Sequence, residues 1–207
     1  MKERPILFSS PMVQAILGGR KTQTRRILKH EVESDNCIVI KKLSPPRINV
    51  RDPRFLQFCP YGVVGDQLWV RETTTEEFMG STSFTKYVAD GHISYDEWSY
   101  SKTTRPSIFM PRNFSRILLE ITNVRVERLN DITDTDAIAE GIERLGNEFN
   151  CSPWRNYRIG KVGEMDMHCS CPRRSYMTLW ESINGAGSWA ENQFVWVITF
   201  KVVEIKR

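Results

Sequence analysis

Short apolar runs, separated by polar segments bearing Gly and Pro, set out the elements of this chain. PILFSS (5–10) reads as a short strand. Ser10-Pro11 then offers an N-cap with proline at the first helical position, and Met12, Ile16 and Leu17 share one face of a helix that Gly18-Gly19 ends. TQTRRIL (22–28) is extended, with Thr22, Thr24 and Arg26 on one face and Gln23, Arg25 and Ile27 on the other. CIVIKKL (37–43) reads as a strand and 44–54 as a Pro/Arg-rich loop. In QLWVRET (67–73), Leu68 and Val70 oppose Trp69 and Arg71, so a regular strand puts the charged Glu72 on the apolar face.

Residues 74–115 are polar and broken by Gly and Pro; they read as an insertion, with a hairpin in 83–95 turning at Asp90-Gly91. RILLEITNVRVERL (116–129) is the longest strand signal, and Ile117, Leu119 and Ile121 fall out of phase with Val124 and Val126 unless a bulge sits near Thr122. DITDTDAIAEGI (131–142) predicts a short helix capped by Thr133, with Asp134 and Asp136 at its positive end and Gly141 as its stop. Glu140 then lies at the negative end, where an unpaired carboxylate costs a few tenths of a kcal/mol, so a cation is expected beside it. Tyr176, Leu179, Trp180 and Ile183 form a helical stripe, and FVWVITFKVVEI (194–205) closes the chain as a buried strand. With no internal repeat, low-complexity tract or long linker, this order describes one α+β domain.

The chain has 207 residues, 40% of them hydrophobic, which suffices for a sizeable core. No apolar run approaches the roughly 20 residues of a membrane helix, and MKERPILFSSP lacks the apolar core of a signal peptide, so a cytoplasmic protein with no membrane partner is expected. The five cysteines, odd in number and irregularly spaced, read as free thiols. The net charge of +4 permits an acidic partner, but its distribution says more. Five Lys/Arg and no acid lie between Gly18 and His30, while five acids and no Lys/Arg lie from Asp131 to Glu143, so the two segments are candidates to meet in space.

Several chemistries drop out. Cys151, His168, Cys169 and Cys171 lack the paired Cys-x-x-Cys spacing of structural zinc sites. There is no nucleophile elbow, Walker A loop or dinucleotide fingerprint. Trp180 and Trp196 lie in core-like patterns, whereas Trp154, in SPWRNYR (152–158), mixes aromatic and cationic character as a base-stacking residue would.

GRKTQTRR after a Pro-started helix, VGDQLWVRET in mid-chain, the long strand leading into DITDTDAIAEGI, and the closing FVWVITF together resemble the ASCH-domain family of the PUA-like superfamily, especially its longer, prophage-associated members. The match covers residues 5–28, 62–73, 116–142 and 194–203 in order. The resemblance implies a PUA-like mixed β-barrel with flanking short helices, as a single domain over 1–207 with insertions at 74–115 and 143–193. It implies a cleft for RNA or a modified nucleoside, with no cofactor or metal. Compact relatives remove the acetyl group from acetylated cytidine with a Lys, a Thr and a Glu; Lys21 and Thr24 stand at the first two positions, and Glu140 is the best placement for the third. Arg20, Thr22, Arg25, Arg26, Trp69 and Glu72 are the expected substrate-binding residues.

Elementary chemistry suits these roles. Neighbouring arginines lower the pKa of Lys21, Glu140 raises it, and a neutral amine can act as a base on Thr24 or water. Arg26 can stabilise the oxyanion. In an unbroken strand Lys21 and Thr24 point to opposite faces, so the scheme requires Lys21 to lie in the turn before regular pleating begins. Two other classes fit the same residues: a non-catalytic RNA-binding module and a metal-independent ribonuclease using the same lysine.

Overall fold

The computed structural model describes residues 1–29, 36–39, 47–79, 82–91, 103–145, 153–158 and 168–206. In chain order, β1 (Glu3–Leu7) leads into α1 (Ser10–Leu17), where Ser9 rather than Ser10 holds the N-cap position and makes no side-chain cap bond, and then β2 (Gln23–Ile27). β3 (Cys37–Val39) pairs with β4 (Arg47–Asn49), and residues 40–43 of the expected strand lie outside the described residues. After β5 (Gln67–Arg71), the chain forms β6 (Thr74–Met79), β7 (Thr82–Tyr87) and β8 (Thr103–Arg105). The long β9 (Ile117–Arg128) precedes α2 (Asp134–Ala139), the short pair β10 (Trp154–Arg155) and β11 (His168–Cys169), α3 (Pro172–Asn184), and β12 (Phe194–Ile205).

The fold is mixed α+β, built on a five-stranded sheet in the order β1-β5-β9-β12-β2, with β1 and β5 parallel and the other pairs antiparallel. Its edges do not pair with each other among the described residues, so backbone ladders do not close the expected barrel. One side chain crosses the gap: Arg26 donates from a terminal guanidinium nitrogen to the Leu7 carbonyl at 2.5 Å. No helix among the described residues is long and apolar enough to cross a membrane.

The two phases of β9 are reconciled at Thr122. Asn123 pairs with Thr199 and Ile121 with Phe200, leaving Thr122 as the extra residue of a bulge that returns both Ile121 and Val124 to the core. The core includes Ile6, Val13, Leu68, Val70, Leu119, Val195 and Ile198, with Phe55 stacked on Trp196 at a ring separation of 4.9 Å.

Residues 74–115 carry a sheet of their own, β7-β6-β8. A hairpin there pairs β6 with β7, and Asp90-Gly91 ends a 3-10 turn with Gly91 at φ 75°; residues 92–95 of the hairpin expected over 83–95 lie outside the described residues. Glu72 is buried, as strand alternation implied, but a bidentate pair with Arg116 at 2.9 and 3.0 Å satisfies it. Arg116 also binds Asp90 and lies 3.9 Å from the centre of the Tyr87 ring, so this network fastens the small sheet to β5 and β9.

Candidate functional site

The site begins where α1 stops. Gly19 takes φ 70°, and the amides of Arg20 and Lys21 both donate to the Ala15 carbonyl, so the chain turns sharply before β2 starts at Gln23. Lys21 therefore precedes regular pleating. Its backbone instead forms an isolated bridge with Glu140, and the Thr22 amide donates to the Ala139 carbonyl at 2.9 Å. The basic turn and the end of α2 are thus stitched together by main chain as well as by charge.

Gly141 permits this approach. It ends α2 at φ 87°, and a Cβ there would lie 2.8 Å from the Lys21 Cβ and 2.9 Å from the Ala15 Cβ. Gly141→Ala is expected to cost about 2–4 kcal/mol, from backbone strain plus overlap in a packed contact. A thermal melt checks this; an unchanged midpoint would show that the turn relaxes freely.

Lys21 is 3% exposed, and its ammonium donates to the Gln23 carbonyl at 2.8 Å, the Glu140 carbonyl at 2.7 Å and Glu140 Oε2 at 2.9 Å. The other Glu140 oxygen accepts from Arg25 at 3.1 Å. Arg25 also reaches Glu127 and Asp136, which Arg125 binds in turn. Three cations, Lys21, Arg25 and Arg125, face three carboxylates, Glu127, Asp136 and Glu140, in a balanced network. Burial draws the Lys21 pKa below the ordinary lysine value; Glu140 opposes this, and Arg26 and Arg25 add to it.

Above this network lies a cleft of about 380 Å³ beside the open edge of β2, lined by Lys21, Thr24, Arg25, Arg26 and Glu140 among others. Phe8 supplies an aromatic surface, with the Lys21 ammonium 5.6 Å and the Arg26 guanidinium 5.3 Å from its ring centre. Tyr176 and Trp180 of α3 line the same cleft. Burial, reinforced by the Glu140 charge, pushes the Tyr176 phenol well above its usual value and keeps it neutral.

Of the sequence-predicted residues, Lys21, Thr24, Glu140, Arg25 and Arg26 therefore come together. Arg20 and Thr22 do not line the cleft; both are exposed, because the turn directs them outward. Trp69 and Glu72 are not part of it either. Arg71 and Arg112 lie 5.3 and 6.0 Å from the Trp69 ring centre, and Glu72 belongs to the Arg116 network. Trp154 pairs across from Cys169 in β10–β11, away from the cleft lining. Cys151 lies outside the described residues.

The sequence pattern missed the wall formed by α3. Tyr176, Leu179 and Trp180 are buried and line the cleft, while Ile183 lines it with 65% exposure. The segment 143–193, read as an insertion, therefore supplies part of the site. Comparison of the chain with protein-family models, with curated proteins and with solved structures returns no match.

Proposed function

We propose that the chain is an ASCH-type protein of PUA-like architecture whose cleft binds a cytidine-like base, in RNA or as a modified nucleoside, and hydrolyses its acetylamide. The observation that carries this reading is that Lys21, from the turn after α1, Thr24, from the start of β2, and Glu140, from more than a hundred residues away, line one cleft, with Lys21 buried against Glu140. A buried lysine of lowered pKa is suited to work as a base.

In the proposed reaction, the neutral Lys21 amine takes a proton from a water held by the Thr24 hydroxyl. The water oxygen attacks the acetyl carbon, and Arg26 donates to the oxyanion. The carbon–nitrogen bond then breaks, Lys21 returns its proton to the leaving exocyclic nitrogen, and the products are acetate and the unacetylated base. Glu140 positions Lys21 through the bond at 2.9 Å.

One observation favours a second reading, a non-catalytic RNA- or nucleoside-binding module. The three acceptors around the Lys21 nitrogen match the three protons of an ammonium, as expected for a fixed positive charge in the cleft wall rather than a base. Incubating the purified protein with acetylated cytidine, and separately with intact RNA, distinguishes the classes by product. Acetate release is expected. Salt-sensitive RNA binding without acetate would support the binding module, and RNA cleavage would point to a ribonuclease.

A further inference from the structure

The cleft carries more positive charge than its walls balance. Four cations line it, Lys21, Arg25, Arg26 and Lys29, against a single carboxylate, Glu140. Lys21 and Arg25 are matched by Glu140, Glu127 and Asp136. Arg26 and Lys29 are not: neither meets a carboxylate among the described residues, and Arg26 gives one terminal nitrogen to the neutral Leu7 carbonyl. Two unbalanced like charges along one concavity raise its potential, so an anion gains there what a neutral ligand does not.

We infer that the ligand of this cleft carries a phosphate, held by Lys29, so that the substrate is a cytidine-type nucleotide rather than the free nucleoside; this rests on the proposed nucleoside reading. Acetylated cytidine is neutral, and the oxyanion assigned to Arg26 lasts only through the reaction, so neither balances the bound state. Spacing separates the parts of the two cations. Lys29 lies three residues beyond Arg26 on a segment that stays paired with β12, the Leu28 amide donating to the Phe194 carbonyl at 2.9 Å. Extended backbone covers about 10 Å in three residues, comparable to the reach from the exocyclic nitrogen of a cytidine nucleotide to its 5′ phosphate. With the acetyl carbonyl at Arg26, the phosphate falls toward Lys29. An exposed ammonium suits that part as a mobile point charge with three donors. A 5′-monophosphate and a phosphodiester within an RNA strand offer it the same chemistry.

The test measures Kd by calorimetry, and kcat/KM for acetate release where there is turnover, with acetylated cytidine, its 5′-monophosphate and a short single-stranded RNA bearing one acetylated cytidine. Wild type is compared with Lys29→Gln, which removes the charge at an exposed position. The wild type is expected to bind the monophosphate about tenfold tighter than the nucleoside at low salt, an advantage that added salt erodes. Lys29→Gln should bring the two ligands within about twofold of each other and leave nucleoside binding unchanged. Given that pattern, RNA bound tighter than the monophosphate sustains the inference with a strand as the source of the phosphate; RNA bound no tighter sustains it with a free nucleotide. Equal affinity of the wild type for nucleoside and monophosphate overturns the inference and leaves the nucleoside reading standing. A phosphate preference that persists in Lys29→Gln overturns it as well. The expected preference without acetate release sustains the inference and removes the hydrolase. Binding of none of the three ligands ends both.

Discussion

Lys21→Met is expected to reduce acetate release from acetylated cytidine by about 10²–10⁴-fold, the range a positioned general base contributes. Methionine has a similar reach and fills the volume of a side chain that is 3% exposed, but it can neither accept nor return a proton. Lys29 also lines the cleft, but it is exposed where Lys21 is buried, so it should not substitute. The loss should fall on kcat with KM little changed, because in the proposed reaction Lys21 acts at the reacting atoms. Lys21→Arg sharpens the result: a guanidinium keeps the positive charge but stays protonated at every working pH. An arginine variant that binds nucleoside and releases no acetate identifies Lys21 as the base. One that retains turnover would leave Lys21 an electrostatic role only.

The wild-type pH profile follows from the same group. The proposed reaction requires the neutral amine, so kcat/KM should rise with pH through the Lys21 pKa, which burial holds below the ordinary lysine value. A rise delayed to the pH of an exposed lysine would contradict the burial of Lys21.

Much of this site was legible because two local rules conflicted with their surroundings. Glu140 stands at the end of α2, where a carboxylate is unfavourable by itself; Lys21 and Arg25 remove that conflict through contacts 119 and 115 residues apart in sequence. The phase slip in β9 likewise announced the bulge at Thr122, since alternation breaks only where a strand is irregular. Partnerships formed at long range left no such trace. Nothing in QLWVRET indicates that Glu72 will meet Arg116 rather than an arginine of the basic turn. The α3 stripe was ambiguous for another reason: periodicity marks a buried face and cannot distinguish a face that meets core from one that meets a cleft, so Trp180 read as packing. Closure of the sheet was equally invisible, because alternation specifies which face of a strand is buried and not which strand lies beside it.

Glu140→Ala is expected to lower stability near pH 7 by about 3–5 kcal/mol, the cost of breaking a buried pair from one side. The carboxylate binds Lys21 with one oxygen and Arg25 with the other. Arg25 keeps Glu127 and Asp136, whereas Lys21 keeps only carbonyl acceptors, so most of the loss falls on the lysine. Its escape is to lose its proton. That moves the folded-state pKa further below the unfolded value, and a lysine with a depressed folded pKa is a burden below that pKa that fades as pH rises toward the unfolded value of about 10.4. The difference in melting temperature between wild type and Glu140→Ala, about 6–20 °C near neutrality, should therefore narrow as the pH is raised toward 10. Glu140→Gln separates stability from chemistry. It retains an acceptor for the Lys21 nitrogen but removes the charge that raises its pKa, so any remaining acetate release should rise with pH at lower values than in the wild type. A shift to higher pH would mean that Glu140 does not hold the proton on Lys21, and the pairing at 2.9 Å would then have no part in tuning the base.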